Sequence, residues 1–199
     1  MVDSSQQTRD RILQASFDEI YVNGYQGMRI DAILKRTGLA KGALYHHFPN
    51  KKSLGYAVVD ECFAEHFLHR VNDFDIETDP IEGFCALMQD LCDNITDEEV
   101  NLGCPIHNLS QEMTGLDEGF KERLSKLYEA KAEMITTALA KGQEKGTVRK
   151  DIDPVAVAGF CISSYQGIVG AAKCMQSRDT FISFTSVLMD YLRTLSTKA

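Results

Sequence analysis

Two short runs of helical periodicity with one glycine between them constrain this chain more than any other feature. Ile30, Ile33, Leu34 and Thr37 recur at helical spacing, which predicts a short helix over 29–36 that buries one face and leaves Lys35 and Arg36 in water. Gly38 ends it: a glycine just past a helix supplies the positive φ of a tight turn, and Leu39 beside it anchors that turn in a core. A second short helix is expected over 40–47, with a thin apolar side made by Leu44 and, just beyond it, Phe48. Its other side, with Lys41, Gly42, Ala43, Tyr45 and His46, has no core to face. The pair reads as a helix-turn-helix whose second helix is free to touch another molecule.

Charge indicates what kind of molecule. Residues 29–54 carry Arg29, Lys35, Arg36, Lys41, Lys51 and Lys52 against the single acid Asp31, in a chain whose net charge is −8. Up to Leu54 there are 8 basic and 5 acidic residues; beyond it there are 13 and 24. Such asymmetry suits a nucleic-acid-binding head on an acidic body that does not bind DNA. A solvated lysine-rich face would give the same count, but not the glycine followed by a thin-cored helix.

Gly24-Tyr25, Ile33, Gly38-Leu39, Lys41-Gly42, Leu44-Tyr45-His46-His47-Phe48 and Lys51-Lys52-Ser53-Leu54 resemble the N-terminal signature of the TetR/AcrR family of bacterial repressors. Gly146-Thr147-Val148-Arg149, followed by Asp151-Ile152-Asp153-Pro154, looks like that family's junction before its last two helices. The resemblance implies an all-α chain of about nine helices. Residues 1–54 would form a three-helix helix-turn-helix DNA-binding domain, and residues 55–199 a ligand-binding and dimerisation domain. It further implies a homodimer that represses transcription from a double-stranded DNA operator and leaves it when a small-molecule effector binds, with no cofactor, no metal and no catalytic activity.

Carried over position by position, the family's DNA contacts fall on Arg29, on Lys41, Gly42, Ala43, Tyr45 and His46, and on Lys51 at the start of the fourth helix. Tyr45 and Lys51 are assigned to phosphates, the lysine with a helix N-terminus behind it. Lys41 and His46 are assigned to base edges, while Gly42 lets the backbones approach and Ala43 offers a methyl contact to thymine. Two departures from the family pattern stand out: Met28-Arg29 occupies a place where many relatives have Ser or Thr, and Ala40 one where they have Ser. Each lost cap costs about 1 kcal/mol of helix stability.

The rest of the chain is also helical in rhythm. A first helix is expected over 8–23, with Ile12, Leu13, Phe17, Ile20 and Tyr21 inward and Gly24 as its stop. Asn50 caps a helix reaching about residue 70, to which the resemblance assigns the lever between effector and head. Asp79-Pro80 starts another, with Ile81, Phe84, Met88, Leu91 and Ile95 inward. A long helix spans about 117–146, with Phe120, Leu124, Leu127, Met134 and Ala138 on one face. From Pro154, small residues recur at Gly159, Ser163, Gly167 and Ala171, and the last helix carries Phe181, Phe184, Leu188, Tyr191 and Leu195 as a bundle seam. A monomer could use both faces internally; the resemblance favours an isologous dimer, and hence a roughly palindromic operator.

Composition sets the compartment. The polar stretch 1–11 predicts no secretory signal, and Ser163, Ser164, Gln166 and Lys173 within the apolar stretch 154–176 predict a buried helix with no membrane role. Six cysteines with no CxxC fit reduced thiols, so the cytoplasm is the expected location.

A second candidate site lies at Gly103-Cys104-Pro105-Ile106-His107. Pro105 suits a first helical position, which puts the Cys104 thiol at a helix N-terminus with His107 one turn on; both favour a reactive thiolate. The segment 103–112 looks like the one that holds a sensing cysteine in an electrophile- and oxidant-responsive branch of the family, and Lys173 falls where that branch has a nearby lysine. Cysteine is more often buried and inert, and other branches of the family, with ordinary ligands, also have Gly-Cys at this point. Half of a zinc site or a Cys-His hydrolase is a weaker reading: no second ligand pair, orienting partner or oxyanion site is evident, and His66 with His69 reads as a solvated helix face. Phe84, Met88, Leu91, Met113, Phe120, Tyr128 and Tyr165 line a mostly apolar effector cavity or form plain core. The effector would then be largely apolar or electrophilic. A rival reading is a small-molecule-binding dimer whose head does not bind DNA.

Overall fold

The computed structural model describes residues 4–64 and 78–198. Its helices are α1 Ser4–Gly27, α2 Ile30–Thr37, α3 Lys41–His47 and α4 Lys51–Ala57, which runs on as a π-helical segment Val58–Phe63. After the undescribed stretch come α5 Pro80–Asn94, α6 Asp97–Leu102, α7 Pro105–Met113, α8 Glu118–Lys145, α9 Pro154–Met175 and α10 Arg178–Arg193. Among the described residues the only extended pairing is an isolated bridge between Val148 and Ser196, so the fold is all-α as expected. The end of the helix expected to reach residue 70, with His66 and His69, lies outside the described residues.

The chain divides into two compact units: Met1–Phe67 with Pro105–Lys126, and Leu68–Cys104 with Leu127–Ala199. Residues 105–126 thus fold with the N-terminal helices. The physical reason is aromatic packing around a glycine. Gly55 of α4 has no side chain to fill the place where the rings of Tyr25 and Phe120 meet, with centroids 4.5 Å apart, and Tyr56 packs edge-on to Phe120 at 4.9 Å. Phe120 and Met113, read from sequence as possible effector contacts, are thus core residues of the first unit, together with Ile12, Phe17, Leu44, Leu54, Phe63 and Leu109. Gly24 breaks the regular backbone of α1 (φ 72°, ψ 167°), at the place where a stop was expected.

The second unit is built on α5, α6, the remainder of α8, α9 and α10. One cluster gathers Ile81, Phe84, Leu139, Val148, Val157, Cys161, Met189 and Leu192; another gathers Cys92, Val100, Ile168, Val169, Ala172, Phe181 and Leu188. Helix α9 is long and apolar enough to cross a membrane by composition, but it lies along α10, places Val157, Cys161, Ile168, Val169 and Ala172 in these clusters and also buries Ala158 and Ile162. It is a core helix of a folded unit. Of the expected seam, Phe181 and Leu188 of α10 and Leu195 just beyond it are buried and Tyr191 is half-buried against both clusters, but Phe184 is 47% exposed. A helix turns about 100° per residue, so Phe184 lands on the flank of the stripe rather than in it. The small-residue stripe of α9 points outward too: Gly159 and Gly167 have open space where a side chain would be.

Candidate nucleic-acid interface

The turn between α2 and α3 is fixed by its backbone. Gly38 sits at φ 70°, ψ 15° and its N–H donates to the Leu34 carbonyl at 2.8 Å. The Thr37 hydroxyl donates to the Ile33 carbonyl at 2.8 Å, and the guanidinium of Arg11 on α1 donates to the Thr37 carbonyl. Leu44 and Phe48, 0% and 4% exposed, fasten α3 to the core. With that side used, Lys41, Gly42, Tyr45 and His46 are exposed and Ala43 is half-buried. The Lys41 ammonium stands 5.9 Å above the Tyr45 ring, a cation–π approach that groups two of the expected contacts.

Arg29 and Lys51 flank this helix pair. Arg29 is exposed and extended (φ −112°, ψ 122°) just before α2, with its backbone N–H directed at Glu19 at 3.4 Å. Lys51, the first residue of α4, donates from Nζ to the Gln26 carbonyl at 3.1 Å and lies 5.1 Å from the centroid of the Tyr25 ring. The helix it opens has a reciprocal cap: Ser53 N–H donates to Asn50 Oδ1 at 2.8 Å and Asn50 N–H to Ser53 Oγ at 3.3 Å. Neither Arg29 before α2 nor Ala40 before α3 makes a side-chain cap.

Two members of the basic run are tied to acids, which the sequence pattern did not indicate. Arg36 pairs with Asp18 at 2.6 Å and Lys52 with Asp117 at 2.6 Å. Asp117 also accepts from the Tyr56 hydroxyl at 2.5 Å, and the two bonds, Lys52's first, hold its carboxyl down at about 2. Arg123 stacks on Tyr56 at 4.1 Å and pairs with Asp60 at 2.9 Å. Partners so far apart along the chain leave no local signal.

At the second candidate site, Cys104 is half-buried and packs against the second unit's Phe181 cluster. Lys131 of α8, which the sequence pattern did not single out, lies beside it; burial pushes the Lys131 pKa down, and Cys104 opposes that shift. Lys173 is half-buried on α9. His107 stands in the first turn of α7, in the stretch that folds with the first unit. The other thiols split by burial: Cys85, Cys92 and Cys161 are buried and burial pushes them up, Cys161 to about 11, away from the thiolate, while Cys62 is half-buried and Cys174 exposed; none of the six is in a disulfide.

An exposed basic helix presented by a helix-turn-helix in an all-helical chain defines a DNA-binding regulator. Residues 12–58 match the family described as "Bacterial regulatory proteins, tetR family", and residues 80–188 match "Tetracyclin repressor-like, C-terminal domain". The chain belongs to the TetR family of transcriptional regulators. Among its relatives, the HTH-type transcriptional repressor DhaR of Mycobacterium sp. (strain GP1) is 26% identical over 184 residues, spanning 92% of this chain and 91% of DhaR. A TetR transcriptional regulator from Chloroflexus aurantiacus superposes with a TM-score of 0.84 at 24% identity, over 96% of this chain and 97% of that one. The reduced form of Escherichia coli NemR does so with a TM-score of 0.81 at 20% identity, over 96% and 97%. These relatives are named as regulators and not as enzymes.

Proposed function

We propose that the protein is a cytoplasmic homodimeric repressor that binds a roughly palindromic DNA operator through α3 and releases it when a small molecule enters the second unit. The observation that carries this reading is the outward face of α3, where Lys41, Tyr45 and His46 are exposed while Leu44 is fully buried. Lys41 and His46 read base edges, Gly42 and Ala43 allow close approach, and Arg29, Tyr45 and Lys51 hold phosphates. In functional terms residues 1–54 bind DNA, and residues 55–199 supply effector binding and dimerisation. Phe84, Met88, Leu91 and Tyr165, which belong to the second unit's apolar clusters, suit a largely apolar effector.

The test is a titration of the purified protein against a labelled duplex carrying the DNA upstream of its own gene, at low salt. Saturable binding that Lys41→Ala and Tyr45→Ala weaken supports the reading. A flat titration would favour a small-molecule-binding dimer that leaves DNA alone.

A second reading concerns the signal. The half-buried Cys104 thiol beside Lys131 favours release by an oxidant or electrophile, and the relative NemR has a structure described as a reduced form. Peroxide or an α,β-unsaturated carbonyl should then release operator from the wild type and not from Cys104→Ser. Equal release from both removes Cys104 as the sensor.

A further inference from the structure

Glu112 lies on α7, within the stretch 105–126 that folds with the N-terminal helices. Its carboxylate accepts from two successive backbone amides, Tyr25 N–H at 2.9 Å and Gln26 N–H at 2.8 Å. Those amides become available because α1 breaks at Gly24, which holds φ 72° and ψ 167°. Any side chain at position 24 would also bring its Cβ within 2.8 Å of Glu112 Oε2. The glycine therefore makes the break and clears the seat for the carboxylate.

What the carboxylate fixes is the partner of Lys51. The Gln26 carbonyl accepts from Lys51 Nζ at 3.1 Å, and the Tyr25 ring stands 5.1 Å from the same ammonium. Both contacts of Lys51 come from the two residues whose N–H groups Glu112 holds. The Tyr25 ring is in turn seated on Phe120 at 4.5 Å.

We propose that Glu112 is a positioning residue for the DNA clamp: by fixing the backbone at 25–26, it aims the Lys51 ammonium at a phosphate. An ammonium has three donors. One is used on Gln26, the Tyr25 face attracts the cation, and the remaining donors are left for DNA. A lysine held in this way gives up less side-chain freedom when it meets its phosphate. Gln26 is exposed, so water could satisfy the same amides. Water does not fix their direction, and direction is what a carboxylate bound at two points supplies.

The proposal rests on Lys51 binding a phosphate, and the test separates the two ideas. Wild type, Glu112→Ala, Glu112→Gln, Lys51→Ala and both double variants with Lys51→Ala are titrated with the labelled upstream duplex across a salt series. Each is first checked for native helicity and melting by circular dichroism. Glu112→Ala should weaken binding about 10-fold and lower the salt slope by about 0.9 for each phosphate that is no longer neutralised, as Lys51→Ala does. Glu112→Gln, whose amide oxygen still accepts from one N–H, should fall between it and wild type. In the Lys51→Ala background neither Glu112 change should have a further effect, whereas a merely structural role would add its full cost. Should Glu112→Ala not fold, the Glu112→Gln cycle decides alone. Additive losses, an unchanged salt slope, or wild-type affinity in both Glu112 variants would overturn the proposal. If Lys51→Ala binds like wild type, the clamp assignment falls and this proposal with it; a wild type that binds no operator removes the repressor reading itself.

Discussion

Asp117 joins α8 to α4 at a single carboxylate. Oδ2 takes the Lys52 ammonium at 2.6 Å, while Oδ1 takes the Tyr56 hydroxyl at 2.5 Å and the Phe120 N–H at 3.1 Å. These donors stabilise the ionised form, so the folded-state value near 2 lies below the ordinary 3.8. The unfolded chain binds the proton more tightly than the folded one, so the contribution is intact above about pH 4 and is lost as pH falls from about 4 through 2. Thermal melts between pH 2 and 6 should show a steeper acid loss in the wild type than in Asp117→Asn, and parallel curves would show that the carboxylate contributes nothing. A short step away, Gly55→Ala would place a Cβ 2.5 Å from Tyr25 Cε2 and 2.8 Å from Phe120 Cζ. Both atoms belong to packed rings, so a loss of about 1–3 kcal/mol is expected in urea unfolding. At this scale the sequence was half legible. The exposure of Lys41, Tyr45 and His46 could be read because Leu44 is the only strong apolar anchor on their helix. The ion pairing of Lys52 and Arg36 could not, because Asp117 and Asp18 reach them only through the tertiary fold.

The short helices of the first unit differ in how their ends are satisfied. Asn50 and Ser53 cap α4 reciprocally, whereas α2 and α3 begin without a side-chain cap. Asn50→Ala should therefore cost about 1 kcal/mol, and Ala40→Ser, at an extended residue (φ −72°, ψ 148°) that suits a cap, should gain up to about 1 kcal/mol. Chemical denaturation measures both, and an Ala40→Ser variant no more stable than wild type would mean that water already satisfies the end of α3. Helix starts and stops were legible because Gly38, Asn50, Pro80, Pro105 and Pro154 act locally. The π-helical turn Val58–Phe63 was not, since its apolar spacing also suits an α-helix. Within it, neighbouring acids go to different helices: Asp60 to Arg123 of α8 at 2.9 Å and Glu61 to Arg9 of α1 at 2.6 Å. The Arg9 guanidinium also stands 5.3 Å from the Phe48 ring at the end of α3, so the π turn is tied by one side chain to the foot of α3.

For the whole chain the open question is what covers the outer face of α9 and α10. Val155 and Phe160 of α9 are 66% and 51% exposed and Phe184 and Val187 of α10 47% and 66%, and Gly159 and Gly167 of α9 have empty space above them. The seam read from the sequence placed Phe184 with the buried stripe; its exposure instead adds an aromatic ring to the outward face. Exposed apolar side chains clustered with small residues allow two helices to approach closely, which suits a second copy of the same face. Val187 is 66% exposed, so Val187→Glu should fold normally as a monomer. In a dimer the same change brings two carboxylates together across a two-fold axis and removes them from water, a cost of several kcal/mol. Light scattering at micromolar concentration should then report a dimer for wild type and a monomer for Val187→Glu. Val22→Glu provides the control, because Val22 is 59% exposed on α1 of the other compact unit, and should stay dimeric. Operator affinity should fall when dimerisation is lost, since one head fills only one half-site. A Val187→Glu protein that remains dimeric and binds operator normally would place the interface on another surface.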